Sequence, residues 1–167
     1  MQSPGAERLG DPRYIPVMRD YVTSVMTQFR NDDRVLGWDL WNEPDNPARQ
    51  YRNVERSDKE QLVANLLPQV FRWARAVDAS QPLTSGVWRG DWGQPQGRSA
   101  ISDIQLANAD VITFHSYAEP TESTSQITYT NALNSLRYST SAQSTPTTFA
   151  ITSELHSTLY HALQFRL

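Results

Sequence analysis

Residues 35–44 read VLGWDLWNEP, a short and nearly continuous apolar run that ends in a polar turn. A run of this kind is typical of a strand that is buried on both faces of a parallel sheet. Before it, an Asp-Pro helix start at residues 11–12 is followed by apolar residues at three- and four-residue spacing as far as Phe29. The sequence therefore predicts an amphipathic helix that begins at this signal and then a strand over residues 35–42.

Helix and strand signals continue to alternate after this first pair. Ser57 and Glu60 have the spacing of a capping box, and an apolar stripe at helical spacing follows them. Strands are predicted over residues 83–88 and 111–116, with a weak helix over residues 99–108 between them. Alternation with short connections indicates a parallel sheet that is either doubly wound or closed into a barrel.

The composition changes in the last third of the chain. Between residues 121 and 160, 18 of 40 residues are Ser or Thr, and the helical periodicity fades beyond Arg137. One more strand is predicted over residues 149–152. We interpret residues 1–137 as one folded domain and residues 138–167 as an atypical tail that does not belong to it.

Length, charge and missing motifs exclude several classes of protein. The chain has 167 residues, about one domain, with a net charge of -3 and no cysteine. It offers no basic face for phosphates, so nucleic acid is excluded as a partner, and no apolar run approaches the roughly 20 residues of a membrane span. A nucleotide-binding glycine loop, a serine-hydrolase elbow and a His-Glu-x-x-His metal motif are all missing from the sequence. We expect a monomer with a neutral partner, no cofactor and no metal site.

Two motifs give the sequence a resemblance to a known family. Residues 42–44, Asn-Glu-Pro, resemble the tripeptide that ends the fourth strand in the clan A glycoside hydrolases, most closely the cellulase-like members around glycoside hydrolase family 5. Residues 113–117, Thr-Phe-His-Ser-Tyr, resemble the His-x-Tyr at the end of the sixth strand in the same families. The resemblance implies an α/β fold, namely a partial (β/α)8 TIM barrel that contains about strands four to seven.

The resemblance also implies roles for the residues in these motifs. Glu43 corresponds to the general acid/base of the family, and Asn42 to the residue that contacts the sugar hydroxyl beside the scissile bond. His115 and Tyr117 are expected to line the catalytic pocket. The reaction needs a protonated carboxyl that donates to the glycosidic oxygen and a second carboxylate that attacks or activates water. The implied activity is retaining hydrolysis of O-glycosyl bonds in a β-linked polysaccharide or oligosaccharide, so the expected partner is a carbohydrate substrate.

Two tryptophans with their polar neighbours, and one glutamate, complete the predicted site. Sugars present apolar faces that stack on flat aromatic rings, so Trp88 and Trp92 are predicted platforms, with Arg89 and Asp91 beside them for hydroxyl groups. In the family, the nucleophile is a glutamate that ends the seventh strand. Glu154, which follows the predicted strand of the tail, is the candidate for that second catalytic carboxylate.

The length of the chain leaves alternatives open. Aligned on residues 42–44, the chain begins in the third helix of such a barrel, which needs about 250 residues in all. We therefore expect a gene fragment that is inactive by itself. One alternative is a non-catalytic, carbohydrate-binding or inert barrel fragment. Another is a doubly wound domain unrelated to glycosides, in which Glu43 and His115 lie far apart.

Overall fold

The computed structural model describes residues 4–47, 53–89 and 95–116, together with the backbone of two short strands near residue 150. The helices are α1 (Ala6–Leu9), α2 (Ile15–Phe29), α3 (Lys59–Ala76) and α4 (Ala100–Asn108), with 3-10 turns at Pro12–Tyr14 and Pro95–Gly97. The strands are β1 (Trp38–Asp39), β2 (Leu83–Thr84), β3 (Val111–Ile112), β4 (His115–Ser116), β5 (Thr147–Thr148) and β6 (Ile151–Thr152).

The helical segment predicted to start at Asp11 and Pro12 begins there in the structure, after the short helix α1. The carboxylate of Asp11 accepts a hydrogen bond from the backbone N–H of Arg13 at 3.0 Å, and Pro12 occupies the first helical position. The first turn is a 3-10 turn, and α2 begins after it at Ile15. Met18, Val22 and Met26 form the buried stripe of α2, so the predicted amphipathic helix is confirmed.

The start of α3 differs from the prediction. Asp58 is its N-cap residue and makes no capping hydrogen bond with its side chain, so the predicted capping box of Ser57 and Glu60 is wrong. The carboxylate of Glu60 instead forms an ion pair with the guanidinium of Arg89. A charge-assisted bond to a guanidinium is about twice as strong as one to a neutral N–H group, which explains the different partner.

A capping box does occur at α4. The hydroxyl of Ser99 accepts from the backbone N–H of Ser102 at 3.1 Å, and the hydroxyl of Ser102 accepts from the backbone N–H of Ser99 at 2.8 Å. This reciprocal pair fixes the start of α4, and the helix predicted over residues 99–108 is confirmed.

Every strand pairing in the described residues is parallel. Trp38 of β1 lies opposite Leu83 of β2, and the stretch after β2 meets the next strand segment through a parallel bridge between Val87 and Phe114. β3 pairs with β5 and β4 with β6, again in parallel. The predicted strands are therefore confirmed as parallel neighbours, although each regular ladder is only two residues long.

The short strand β6 lies within residues 149–152, where the sequence predicts a strand. Both β5 and β6 belong to the Ser- and Thr-rich stretch after residue 137, and their pairing partners β3 and β4 precede it. The division of the chain into a domain of residues 1–137 and a tail of residues 138–167 stays a prediction.

A single apolar cluster packs the helices against β1 and β2. Trp38 and Leu40 are fully buried in it, together with residues of α2 and α3 such as Val22 and Phe71. The indole N–H of Trp38 donates to the side-chain oxygen of Gln81 at 3.1 Å, so burial leaves this polar atom satisfied. Among the helices of the described ranges, none is long and apolar enough to cross a membrane.

Asp110 connects the start of β2 to the end of α3. Its carboxylate accepts from the backbone N–H of Leu83 at 2.9 Å and from both terminal nitrogens of Arg75, at 2.8 and 3.1 Å. Burial acts to raise the pKa of Asp110, but the hydrogen bonds from Arg75 and Leu83 outweigh it and hold that pKa below its ordinary value. The charged form of Asp110 is therefore the form that stabilises the fold.

We predict that Asp110→Asn lowers the free energy of unfolding at pH 7 by no more than about 1 kcal/mol, because the half-exposed ion pair with Arg75 is screened by water. A depressed pKa contributes stability above the unfolded-state value near 4 and loses it as the pH falls through the folded-state value. Urea unfolding followed by circular dichroism should thus show that the variant has a lower free energy of unfolding than the wild type at pH 7. This deficit in unfolding free energy should be smaller at pH 3. Asp33→Asn, at an exposed turn position, is the matched control, and an equal deficit at both pH values would contradict the prediction.

Candidate active site

The turn that follows β1 carries the first predicted site residues. Glu43, Pro44 and Asp45 are all buried, and the backbone N–H of Asn46 donates to the carbonyl oxygen of Glu43 at 3.0 Å. Glu43 has a φ of 44°, which lies in the left-handed region that side chains other than glycine rarely adopt. Such a conformation costs about 1 to 3 kcal/mol and persists only where surrounding contacts impose it. Strain of this kind is concentrated at functional sites.

The carboxyl group of Glu43 is shielded from water. The residue is 5% exposed, and the side-chain amide of Asn46 donates to its Oε2 atom at 2.5 Å. The carbonyl oxygen of Asn46 in turn accepts from the ammonium group of Lys59 at 2.7 Å. A buried carboxyl with one oxygen held in place has the fixed geometry that general acid/base catalysis needs.

Asp45 joins this turn to the end of the neighbouring strand. One carboxylate oxygen accepts from the indole N–H of Trp88 at 2.7 Å, and the other pairs with Nε of Arg89 at 2.9 Å. Arg89 also pairs with Glu60 of α3, and its guanidinium lies 5.6 Å from the centre of the Trp88 ring. Burial acts to lower the pKa of Arg89, but the bond to Glu60 and the charges of Asp45 and Glu60 raise it on balance.

The end of β1 is also held from the side of α4. The hydroxyl of Ser85 donates to the carbonyl oxygen of Trp41 at 2.7 Å. The side-chain amide of Gln105, in α4, donates to the same hydroxyl at 3.1 Å and to the carbonyl oxygen of Gly86 at 2.9 Å. These buried bonds fix the backbone immediately before Asn42 and Glu43, at the edge where both strands end.

Asn42 has a buried polar atom that lacks a partner. Within the described ranges no donor lies within hydrogen-bonding distance of its Oδ1 atom, although that atom is shielded from water. A buried acceptor without a hydrogen bond lowers the stability of the fold by about 1 to 3 kcal/mol. Buried polar atoms without a partner are rare in proteins, so this one marks Asn42 as a candidate functional residue.

Three of the predicted site residues lie together. Glu43 and Asn42 are neighbours in the turn after β1, and Trp88 is bound to the same turn through Asp45. His115 begins β4, one residue after the bridge between Val87 and Phe114. Tyr117, Trp92, Asp91 and Glu154 lie outside the described residues. Arg89, predicted to bind sugar hydroxyls, has its guanidinium engaged by two carboxylates instead.

Sequence reasoning missed Asp45, Asn46 and Lys59. A signal for Asn46 exists, because Glu43 and Asn46 have the spacing that closes a β-turn and Pro-Asp-Asn is a turn composition. Lys59 lies 13 residues from Asn46, and Trp88 lies 43 residues from Asp45, so no local pattern reveals these contacts. In the part of the chain that the structure describes, no group of three or more histidines and carboxylates could hold a metal ion.

Parallel strands flanked by helices, with a buried carboxyl at the end where strands leave the sheet, define an α/β protein with a candidate acid/base site. The family model for cellulase, glycosyl hydrolase family 5, matches residues 11–158. The chain therefore belongs to glycosyl hydrolase family 5, whose fold is the (β/α)8 barrel. The predicted membership of the cellulase-like glycoside hydrolases is confirmed.

One solved structure with a similar chain is a glycosylated endo-β-1,4-xylanase of glycoside hydrolase family 10 from Gloeophyllum trabeum. The two chains are 19% identical, with a TM-score of 0.45, and the match covers 70% of this chain. This chain spans 38% of the length of that xylanase. No curated protein matches the chain. The family assignment rests on the match to the family model alone.

We predict that Asp45→Ala lowers the free energy of unfolding more than Asp45→Asn does. Alanine leaves the indole N–H of Trp88 without its acceptor and should lower the free energy of unfolding by about 2 to 3 kcal/mol. Asparagine keeps an acceptor for that N–H and loses only the charge opposite Arg89, which should cost about 1 kcal/mol. Guanidinium unfolding measures both values, with Asp20→Ala on the exposed face of α2 as the control. Equal costs for the two variants would show that the bond to Trp88 contributes nothing.

Proposed function

We propose that this chain provides part of the active site of a retaining glycoside hydrolase for β-linked polysaccharides or oligosaccharides, in which Glu43 is the general acid/base. The observation that carries the proposal is the state of Glu43. It is buried, left-handed and bound to Asn46, and it follows a parallel strand in a chain of glycosyl hydrolase family 5. Active sites of (β/α)8 barrels lie at the carboxyl ends of the strands, which is where Glu43 stands relative to β1.

The strands then correspond to part of the family's barrel. We assign β1 to the fourth strand, β2 with the bridge at Val87 to the fifth, β3 with β4 to the sixth, and β5 with β6 to the seventh. Parallel pairing in chain order supports this assignment, because successive strands of such a barrel are neighbours. An isolated set of four strands exposes two edges and part of the barrel interior. We therefore propose that the 167-residue chain is inactive, or nearly so, by itself.

The reaction proceeds in two steps. In the first, Glu43 donates its proton to the glycosidic oxygen, the bond from the anomeric carbon to that oxygen breaks, and a second carboxylate forms an ester with the anomeric carbon. In the second, Glu43 takes a proton from water, whose oxygen attacks the anomeric carbon and releases the carboxylate. The two carboxyl groups must lie about 5 to 5.5 Å apart for this sequence of events.

The other predicted residues provide the nucleophile and the contacts with the sugar. Glu154 is the proposed nucleophile, because in the sequence it follows β6 by two residues and β6 runs parallel to β4. Asn42 binds the hydroxyl next to the anomeric carbon, while His115 and Tyr117 line the pocket. Trp88 and Trp92 are stacking platforms for the sugar. The bond from Trp88 to Asp45 supports this role, because a fixed indole presents its ring face in one orientation.

We predict that Glu43→Gln lowers kcat/KM for phenyl β-cellobioside by roughly 100- to 10,000-fold, the usual contribution of a general acid. The loss for 2,4-dinitrophenyl β-cellobioside should be much smaller, because dinitrophenolate leaves without a proton. Both the 167-residue chain and the longest product of its reading frame are assayed, and the variant is made in the form that hydrolyses the substrates. Glu7→Gln, an exposed change in α1, is the control. Unchanged activity of Glu43→Gln would refute the role of Glu43.

We predict that cello- and manno-oligosaccharides cause a saturable change in tryptophan fluorescence and that Trp88→Phe removes much of this change. Trp73→Phe, the same replacement in α3, is the control and should leave the change in place. Hydrolysis of the oligosaccharides by the longest gene product supports the proposal. Saturable binding without product from any form would replace it with a non-catalytic, carbohydrate-binding function.

A further inference from the structure

Asn46 contacts both the backbone and the side chain of Glu43. Its backbone N–H donates to the carbonyl oxygen of Glu43 at 3.0 Å, which closes the turn after β1. Its side-chain amide donates to Oε2 of Glu43 at 2.5 Å. With Glu43 only 5% exposed, water competes little for that oxygen. The conformation of the carboxyl group is therefore coupled to the side chain of Asn46.

Asn46 is itself held by α3. The ammonium group of Lys59, the first residue of α3, donates to the carbonyl oxygen of Asn46 at 2.7 Å and pairs with Glu55 at 2.8 Å. Lys59 is 9% exposed, so this contact lies in a shielded environment where a charged hydrogen bond is strong. The amide that binds Glu43 is thus positioned by a helix and not by a free loop.

The direction of this hydrogen bond distinguishes the two carboxyl oxygens of Glu43. In a protonated carboxyl the carbonyl-type oxygen is the stronger acceptor, so an amide N–H bound to Oε2 favours the acid form with its proton on Oε1. We propose that Asn46 is a positioning residue, which holds Oε2 so that Oε1 gives the proton to the glycosidic oxygen and later takes one from water. Asn46 itself exchanges no proton. This inference rests on the proposed function of Glu43.

The test separates a role in proton delivery from a role in folding. Asn46→Asp keeps the size and turn propensity of the residue but removes the N–H donor, and Asn46→Ala removes the side chain. For phenyl β-cellobioside, both variants should lose roughly 10- to 100-fold in kcat/KM, because a misdirected acid is a poor donor. For 2,4-dinitrophenyl β-cellobioside, kcat/KM should stay within about threefold of the wild type, since this constant reports only the first step and that leaving group needs no acid.

Controls decide between the possible outcomes. Asn53→Asp makes the same chemical change at an exposed position and should leave both substrates unaffected. Equal losses on the two substrates would mean that Asn46 only supports the fold, and no loss on either would mean that it has no role; both results overturn the inference. Glu43→Gln is measured in parallel. If it shows the leaving-group dependence and the Asn46 variants do not, the inference fails while the proposed function stands. If Glu43→Gln does not show it, the proposed function fails and the inference with it.

Discussion

The arrangement of the site depends on the burial of the Asp45 carboxylate. A carboxylate that is 4% exposed must find partners within the protein, because an unpaired buried charge is strongly destabilising. Trp88 and Arg89 provide those partners, and both belong to the segment that follows β2. Arg89 also binds Glu60 of α3. The requirement to satisfy one buried charge therefore joins the end of β1, the end of β2 and the first turn of α3.

These connections explain how Glu43 can adopt a left-handed conformation. The strain of about 1 to 3 kcal/mol is offset locally by hydrogen bonds on both sides of the residue. Before Glu43, the carbonyl oxygen of Trp41 is bound by Ser85. After it, Asp45 is bound by the segment that follows β2, and Asn46 is bound by Lys59 of α3. Because neighbouring contacts determine the backbone at both ends, the conformation of Glu43 does not depend on its own intrinsic preference.

The sequence predicts the elements better than it predicts the contacts between them. The apolar run at residues 35–41 identifies β1, because a strand covered on both faces needs such a run. The stripe of Met18, Val22 and Met26 identifies α2, because apolar residues at this spacing lie on one face of a helix. The start of α3 was predicted wrongly, because the capping spacing of Ser57 and Glu60 says nothing of a guanidinium 29 residues away. Likewise, residues 42–44 identify the candidate acid, whereas the link from Asp45 to Trp88 depends on strand pairing that no local pattern contains.

The two buried carboxyl groups of this turn are in different environments, and the difference suits different tasks. Both carboxylate oxygens of Asp45 are engaged, one by the indole N–H of Trp88 and the other by the guanidinium of Arg89. Glu43 accepts from the neutral side-chain amide of Asn46, which orients its Oε2 atom. A general acid must hold a proton and release it in one direction, so a neutral donor on one oxygen is the more suitable partner. Only Pro44 separates the two groups, so one turn provides a carboxyl group that joins two strand ends and, beside it, a candidate acid.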